Sequence, residues 1–113
     1  MAEVRLTKYD IAAIVEEAQS IFGSRLARVR LYGSRADLAK KGGDIDVVTE
    51  IFGAVADKFA VSQTFRRGIC SRLGDQKIDI LIISVDSSLN TDRENTFLAV
   101  IQGGRKILWS VNG

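Results

Sequence analysis

The chain contains no histidine, no proline and a single cysteine. Without histidine there is no Cys/His zinc site, no Ser-His-Asp or Cys-His triad and no histidine-ligated haem. The lone Cys70 cannot close an internal disulfide, so nothing ties the chain to an oxidising compartment. Long apolar runs are missing too. The longest are strand-sized, as in Ile80-Leu81-Ile82-Ile83, far short of the ~18 residues of a membrane span. The opening MAEVRLTKYD lacks the apolar stretch of a secretory signal, and the expected location is the cytoplasm. Any chemistry must therefore come from carboxylates, hydroxyls, Lys, Arg and backbone amides.

What is present is enough for one core. The 113 residues are 46% apolar, and no linker, repeat or low-complexity stretch divides them, so a single domain over 1–113 is expected. Charge is nearly balanced, 16 Lys+Arg against 14 Asp+Glu, but its distribution is not even. Arg25, Arg28, Arg30, Arg35, Lys40 and Lys41 fall together against the one acid Asp37, a concentration that predicts a phosphate nearby. Lys40 and Lys41 read first as a solvated loop.

Three helices are expected. Ile11, Ile14, Val15, Ala18, Ile21 and Phe22 recur at helical spacing over 8–22, between a candidate cap at Thr7 and a stop at Gly23. A second helix is expected over 54–73, burying Val55, Phe59, Phe65, Ile69 and Leu73 and stopping at Gly74. A third begins at Thr91-Asp92-Arg93-Glu94, a capping-box spacing, buries Phe97, Leu98 and Ile101, and stops at Gly103. Cys70 reads as a packing residue rather than a nucleophile. Ile107-Leu108-Trp109 reads as a closing strand.

Between the helices, three segments alternate with period two. Over 26–32, Ala27, Val29 and Leu31 share one face and Arg28 and Arg30 the other. Over 44–50, Ile45, Val47 and Thr49 oppose Asp44, Asp46 and Glu50; over 77–83, Ile78, Ile80 and Ile82 oppose Lys77 and Asp79. In one sheet, the apolar face must be covered by helices, and the other gathers Asp44, Asp46 and Asp79 beside Arg28, Arg30 and Lys77. An α+β architecture follows, with a mixed sheet and helices on one face.

Acids gathered on one face repel one another unless cations neutralise them. Asp44 and Asp46 stand at i and i+2, with Cα atoms ~6.5–7 Å apart and side chains on the same side. Two such carboxylates with a third acid can hold a pair of divalent ions, and an all-oxygen set favours Mg²⁺ or Mn²⁺. The plainer alternative is a set of salt bridges to Arg28, Arg30 and Lys77. Glu50 shares this face but lies about two residue pairs beyond the acids and is left outside the site. Upstream, Gly33 permits a close backbone approach, Ser34 offers hydroxyl and amide to a phosphate, and Arg35 is either a phosphate contact or ordinary surface charge. Gly103-Gly104-Arg105-Lys106 lacks P-loop spacing, and Asp44-Ile45-Asp46-Val47-Val48 is not an EF-hand loop.

Gly33-Ser34, nine intervening residues and Asp44-Ile45-Asp46, followed by Asp79 in an apolar strand, resemble the signature of the polymerase-β-like nucleotidyltransferase superfamily. The resemblance spans nearly the whole chain and is nearest to the minimal nucleotidyltransferases. It implies a palm-like fold in the order α-β-α-β-α-β-α-β, the second helix being a short segment up to Lys41. It implies that Gly33, Ser34 and Arg35 hold the triphosphate, that Asp44, Asp46 and Asp79 bind Mg²⁺ or Mn²⁺, and that Asp79 helps activate the attacking hydroxyl. The implied reaction is transfer of a nucleotidyl group, adenylyl from ATP, to an acceptor hydroxyl, with the basic strand stabilising transition-state charge. The implied alternative is an antitoxin-like module paired with a small helical partner of the HEPN type. A homo-oligomer stays open, and so does nucleic-acid binding, which has only the basic segment in its favour.

Overall fold

The computed structural model describes residues 8–32, 45–74, 77–101 and 106–111. Helix α1 runs Lys8–Phe22, with Asp10 in its first turn, and a single 3-10 turn, Gly23–Arg25, leads into strand β1, Leu26–Tyr32. Strand β2 is Ile45–Ile51, helix α2 Lys58–Leu73, strand β3 Ile78–Ser84, helix α3 Asp92–Ile101 and strand β4 Lys106–Ser110. The cap at Thr7, the short helix before Lys41 and the stop at Gly103 lie outside the described residues.

Local chemistry sets the helix ends. Helix α2 starts four residues later than its apolar pattern predicts, because the Asp57 carboxylate accepts the Ala60 amide at 3.0 Å and holds Asp57 itself in an extended conformation. Its end is at Gly74, whose φ of 86° suits glycine and whose N–H reaches the Cys70 carbonyl at 2.8 Å. Ahead of α3 the expected capping box is present. Thr91 N–H donates to Glu94 Oε1 at 2.9 Å, and Glu94 N–H donates to Thr91 Oγ1 at 3.1 Å.

The four strands form one mixed sheet in the order β3-β2-β1-β4, with β2 and β3 parallel and the other pairs antiparallel. The parallel pair requires a crossover, and α2 supplies it. Helices α1 and α2 pack on the apolar face, where Ile14, Ala18, Phe22, Phe65 and Ile69 meet Val29, Leu31, Ile45, Val47 and Ile82. Phe22 and Phe65 meet edge to face at 6.2 Å. Between the two helices Gly68 leaves room that the Glu17 carboxylate occupies, where a Cβ would collide with it. Arg72 then holds Glu16 at 2.7 Å and Glu17 at 3.1 Å.

Two expectations need correction here. Helices α1 and α2 cover one face, but α3 lies on the other: its Phe97 and Leu98 pack with Leu81 on buried Val48 and Ile83. By the strand alternation Val48, Leu81 and Ile83 belong to the acid-bearing face, so that face is half apolar and needs a cover of its own. Phe59, expected in the core, is 72% exposed. It stands six residues before Phe65, about 120° away around a helix of 3.6 residues per turn, so it cannot share the stripe of Phe65 and Ile69.

Candidate active site

Register turns the alternation into three rows across the second face. The first is Tyr32–Asp46–Asp79, the second Arg30–Val48–Leu81, the third Arg28–Glu50–Ile83. The first row is the acidic one. Asp46 and Asp79 are direct partners on neighbouring parallel strands, so their Cα atoms stand ~4.8 Å apart and their side chains leave the same side of the sheet. Asp46 is half-buried and Asp79 exposed. The start of the row is clamped by Ile45 N–H, which donates to the Lys77 carbonyl at 2.9 Å.

Of the six residues expected to form the site, the structure thus brings Asp46 and Asp79 together. Gly33, Ser34, Arg35 and Asp44 lie outside the described residues. In sequence Gly33 follows directly on Tyr32, the member of the acidic row contributed by β1, and Asp44 directly precedes β2. Among the described residues no cluster of three metal-ligating side chains forms. The donor set still suits a hard cation: two adjacent carboxylates, one open to water, in a chain without histidine, fit an ion that keeps several waters and shares its shell with phosphate.

The basic strand has a different use from the expected one. Arg30 Nε donates to Glu50 Oε2 at 2.6 Å, and Arg28 donates to Glu50 Oε1 at 3.0 Å. Glu50 and Arg30 are both buried, their side chains 4% and 5% exposed. Two arginines thus converge on a carboxylate four residues along the strand from Asp46, beside the apolar patch under α3. Arg30 is sealed from any substrate, and its charge serves Glu50. Arg25 is likewise committed, donating to the carbonyls of Phe52 at 3.2 Å and of Ala54. Three of the six clustered cations therefore brace the fold. Sequence parity placed Glu50 on this face, but not the reach of the arginines toward it.

A groove at the sheet edge was not foreseen. Along the outer edge of β3, on the side that α2 covers, a groove of about 420 Å³ is lined by Phe59, Ser62, Gln63 and Arg66 of α2 and by residues 77–80, with Ile78 and Ile80 facing the helix. The four α2 residues stand at i, i+3, i+4 and i+7, one helical stripe, and that spacing was the available signal.

No family model matches the sequence, and no curated protein sequence matches it significantly. Solved structures do match the fold. One is the structure of tri-AMPylated Shewanella oneidensis HEPN toxin in complex with MNT antitoxin, with a TM-score of 0.60 and 14% identity, covering 91% of this chain and 71% of that one. The chain has a nucleotidyltransferase fold. A second match, to a candidate nucleotidyltransferase from Sulfolobus solfataricus, has a TM-score of 0.47 and 19% identity, covering 94% of this chain and 91% of that one. The acidic row of this nucleotidyltransferase fold lies at the start of β2 and β3, away from the apolar face that α1 and α2 cover. Among the described residues no helix is long and apolar enough to cross a membrane.

Proposed function

We propose that the protein is a metal-dependent nucleotidyltransferase that moves a nucleotidyl group, adenylyl in our reading, from a nucleoside triphosphate to an acceptor hydroxyl. The observation that carries this is the in-register pairing of Asp46 with Asp79 on a sheet of nucleotidyltransferase fold. Asp44, Asp46 and Asp79 would hold Mg²⁺ or Mn²⁺. When bound, such an ion neutralises phosphate oxygens and lowers the pKa of a bound hydroxyl. The residues of the chain do the rest. Gly33 and Ser34 offer amides and a hydroxyl to the triphosphate, and Arg35 adds a forked charge. The acceptor oxygen bonds to the α-phosphorus, the bond to the β-phosphate oxygen breaks, and the hydroxyl proton passes to the Asp79 carboxylate as pyrophosphate leaves.

The test is Mg²⁺-dependent pyrophosphate release from ATP with candidate acceptors, in the parent protein and in Asp46→Asn and Asp79→Asn. Each substitution should lower release by at least about a hundredfold while the circular-dichroism spectrum is retained. Unchanged release in both variants would remove the pair from the mechanism.

The likeness to a structure of MNT antitoxin bound to HEPN toxin favours a second reading, an antitoxin-like module that pairs with a small helical HEPN-type protein. In that case both Asn variants still co-purify with the partner, and ATP turnover is dispensable for the pairing.

A further inference from the structure

We propose that the outer edge of β3 takes an extended acidic segment of a partner protein as a further strand of the sheet, with its side chains resting in the groove along α2. The proposal concerns the sheet edge, not the acidic row, and stands whether or not the acids catalyse. Backbone direction is the first argument. Ile45 N–H donates to the Lys77 carbonyl at 2.9 Å and Val85 N–H donates to the Ile51 carbonyl at 2.8 Å, so the odd-numbered residues of this strand turn their backbone groups toward β2. The even-numbered ones turn outward. Ser84 shows this: its N–H donates to Asn90 Oδ1 and its carbonyl accepts from Asn90 Nδ2, both at 2.9 Å. The Asn90 amide thus stands where the peptide group of a neighbouring strand would stand, and it closes that end of the edge. The N–H and C=O groups of Ile78 and Ile80 point the same way, beside the groove, and nothing among the described residues pairs with them. An edge of this kind is a template for another strand.

Charge and shape choose the occupant. Because α2 carries the chain back from the end of β2 to the start of β3, Arg66 lies nearer the start of β3 than Phe59 does. The two stand seven residues apart on the helix, ~10 Å, a distance that an extended chain covers in about three residues. Phe59 is 72% exposed and Ile80 half-buried, so one apolar side chain on an added strand covers both. Arg66 and Lys77 line the same groove, and neither is in an ion pair with a described residue. Arg66 is held at the groove by its own helix, its Nε donating to Gln63 Oε1 at 3.2 Å. By the strand alternation Lys77 leaves on the face of Asp79, whereas Arg66 stands on the face that α2 covers. Two neighbouring acids on an added strand point one to each face, and each meets one of these cations. The segment so described is extended, with an Asp/Glu pair and an apolar residue about two to four positions away. A basic segment brings like charge to both cations. Nucleic acid suits the cations but has no regular row of amides to pair with Ile78 and Ile80.

The experiment is fluorescence anisotropy on the full chain with two fluorescein-labelled peptides built around Asp-Glu-Val-Thr-Val and its reverse, so that either strand direction is served. At least one should bind saturably. Phe59→Ala and Arg66→Gln replace side chains outside the core, and thermal melting checks their folding; each should weaken binding by about tenfold, as should Asn-Gln in place of Asp-Glu in the peptide. Strand addition also leaves a mark that other docking does not. Amide exchange at Ile78 and Ile80 should slow in the complex, and N-methylation of alternate peptide residues should abolish binding in one phase and spare it in the other. Binding of neither peptide overturns the proposal, as does binding that both substitutions leave unchanged or that leaves those two amides unprotected. So does protection of the two amides in the dilute, peptide-free chain, which would mean that the chain covers its own edge. Protection that grows with protein concentration alone would name a second copy as the occupant and overturn it too. The last adverse result is a short single-stranded RNA that displaces the peptide and binds more tightly.

Discussion

Replacing Glu50 by leucine removes the carboxylate on which Arg28 and Arg30 converge, and the consequence is set by how unequally the two arginines are buried. The Arg28 side chain is 31% exposed and can turn to water. Arg30 is 5% exposed, with its Nε–H bonded to Glu50 at 2.6 Å, and has no such escape. Stripping a partner from a buried charge costs about 3–5 kcal/mol, far more than the intact pair contributes. For a domain of this size, at about 4 °C per kcal/mol, the melting temperature should fall by roughly 12–20 °C. Glu50→Gln keeps an acceptor but loses the charge and should fall by about half as much. The double variant Arg30→Met with Glu50→Leu removes both charges beside Val48, Leu81, Phe97 and Leu98, and should recover most of the loss. Circular-dichroism melts of the four proteins decide the matter. If Glu50→Leu costs under about 1 kcal/mol, or the double variant is no better than the single one, then Arg30 is not a desolvated charge that depends on Glu50.

Two further outcomes concern stability alone. Thr49 sits in the sheet with a buried hydroxyl that has no hydrogen-bond partner among the described residues; Thr49→Val should leave stability unchanged or raise it by about 1 kcal/mol in urea titrations, and a loss above about 1 kcal/mol would mean the hydroxyl is satisfied after all. Burial pushes the Glu94 carboxyl up, but the hydrogen bonds from Lys58 and Thr91 and the Lys58 charge outweigh it and hold the group below the ordinary glutamate value. A lowered carboxylate pKa adds stability above the unfolded-state value, and that contribution is lost as pH falls through the folded-state value. The gap between the parent and Glu94→Gln, at most about 1 kcal/mol at neutral pH, should close as pH falls through the lowered folded-state value, and a gap that persists once the carboxyl is protonated would exclude the ionised carboxylate as its source.

Much of the fold was legible because its determinants are local. The 3.6-residue spacing of Ile14, Ala18 and Phe22 marked α1, and Thr91 with Glu94 marked the start of α3. The two-residue alternation of β1, β2 and β3 put Asp46 and Asp79 on one face before any coordinates. Where local signals competed, the apolar one misled: Val55 extended the expected α2, while Asp57, a single capping side chain, set its true start.

The acidic pair itself shows the division. Alternation belongs to one strand at a time, so sequence alone determined that Asp46 and Asp79 lie on a common face and that no histidine accompanies them. Register belongs to two strands together, and helix rotation to a helix and the layer beneath it. Only the tertiary structure therefore decided that the two aspartates are direct neighbours, that Glu50 rather than a substrate holds Arg28 and Arg30, that α3 covers the apolar half of their face, and that Phe59 turns outward at the edge of β3. Each of those outcomes depends on which distant residue arrives opposite, and no single segment carries that information.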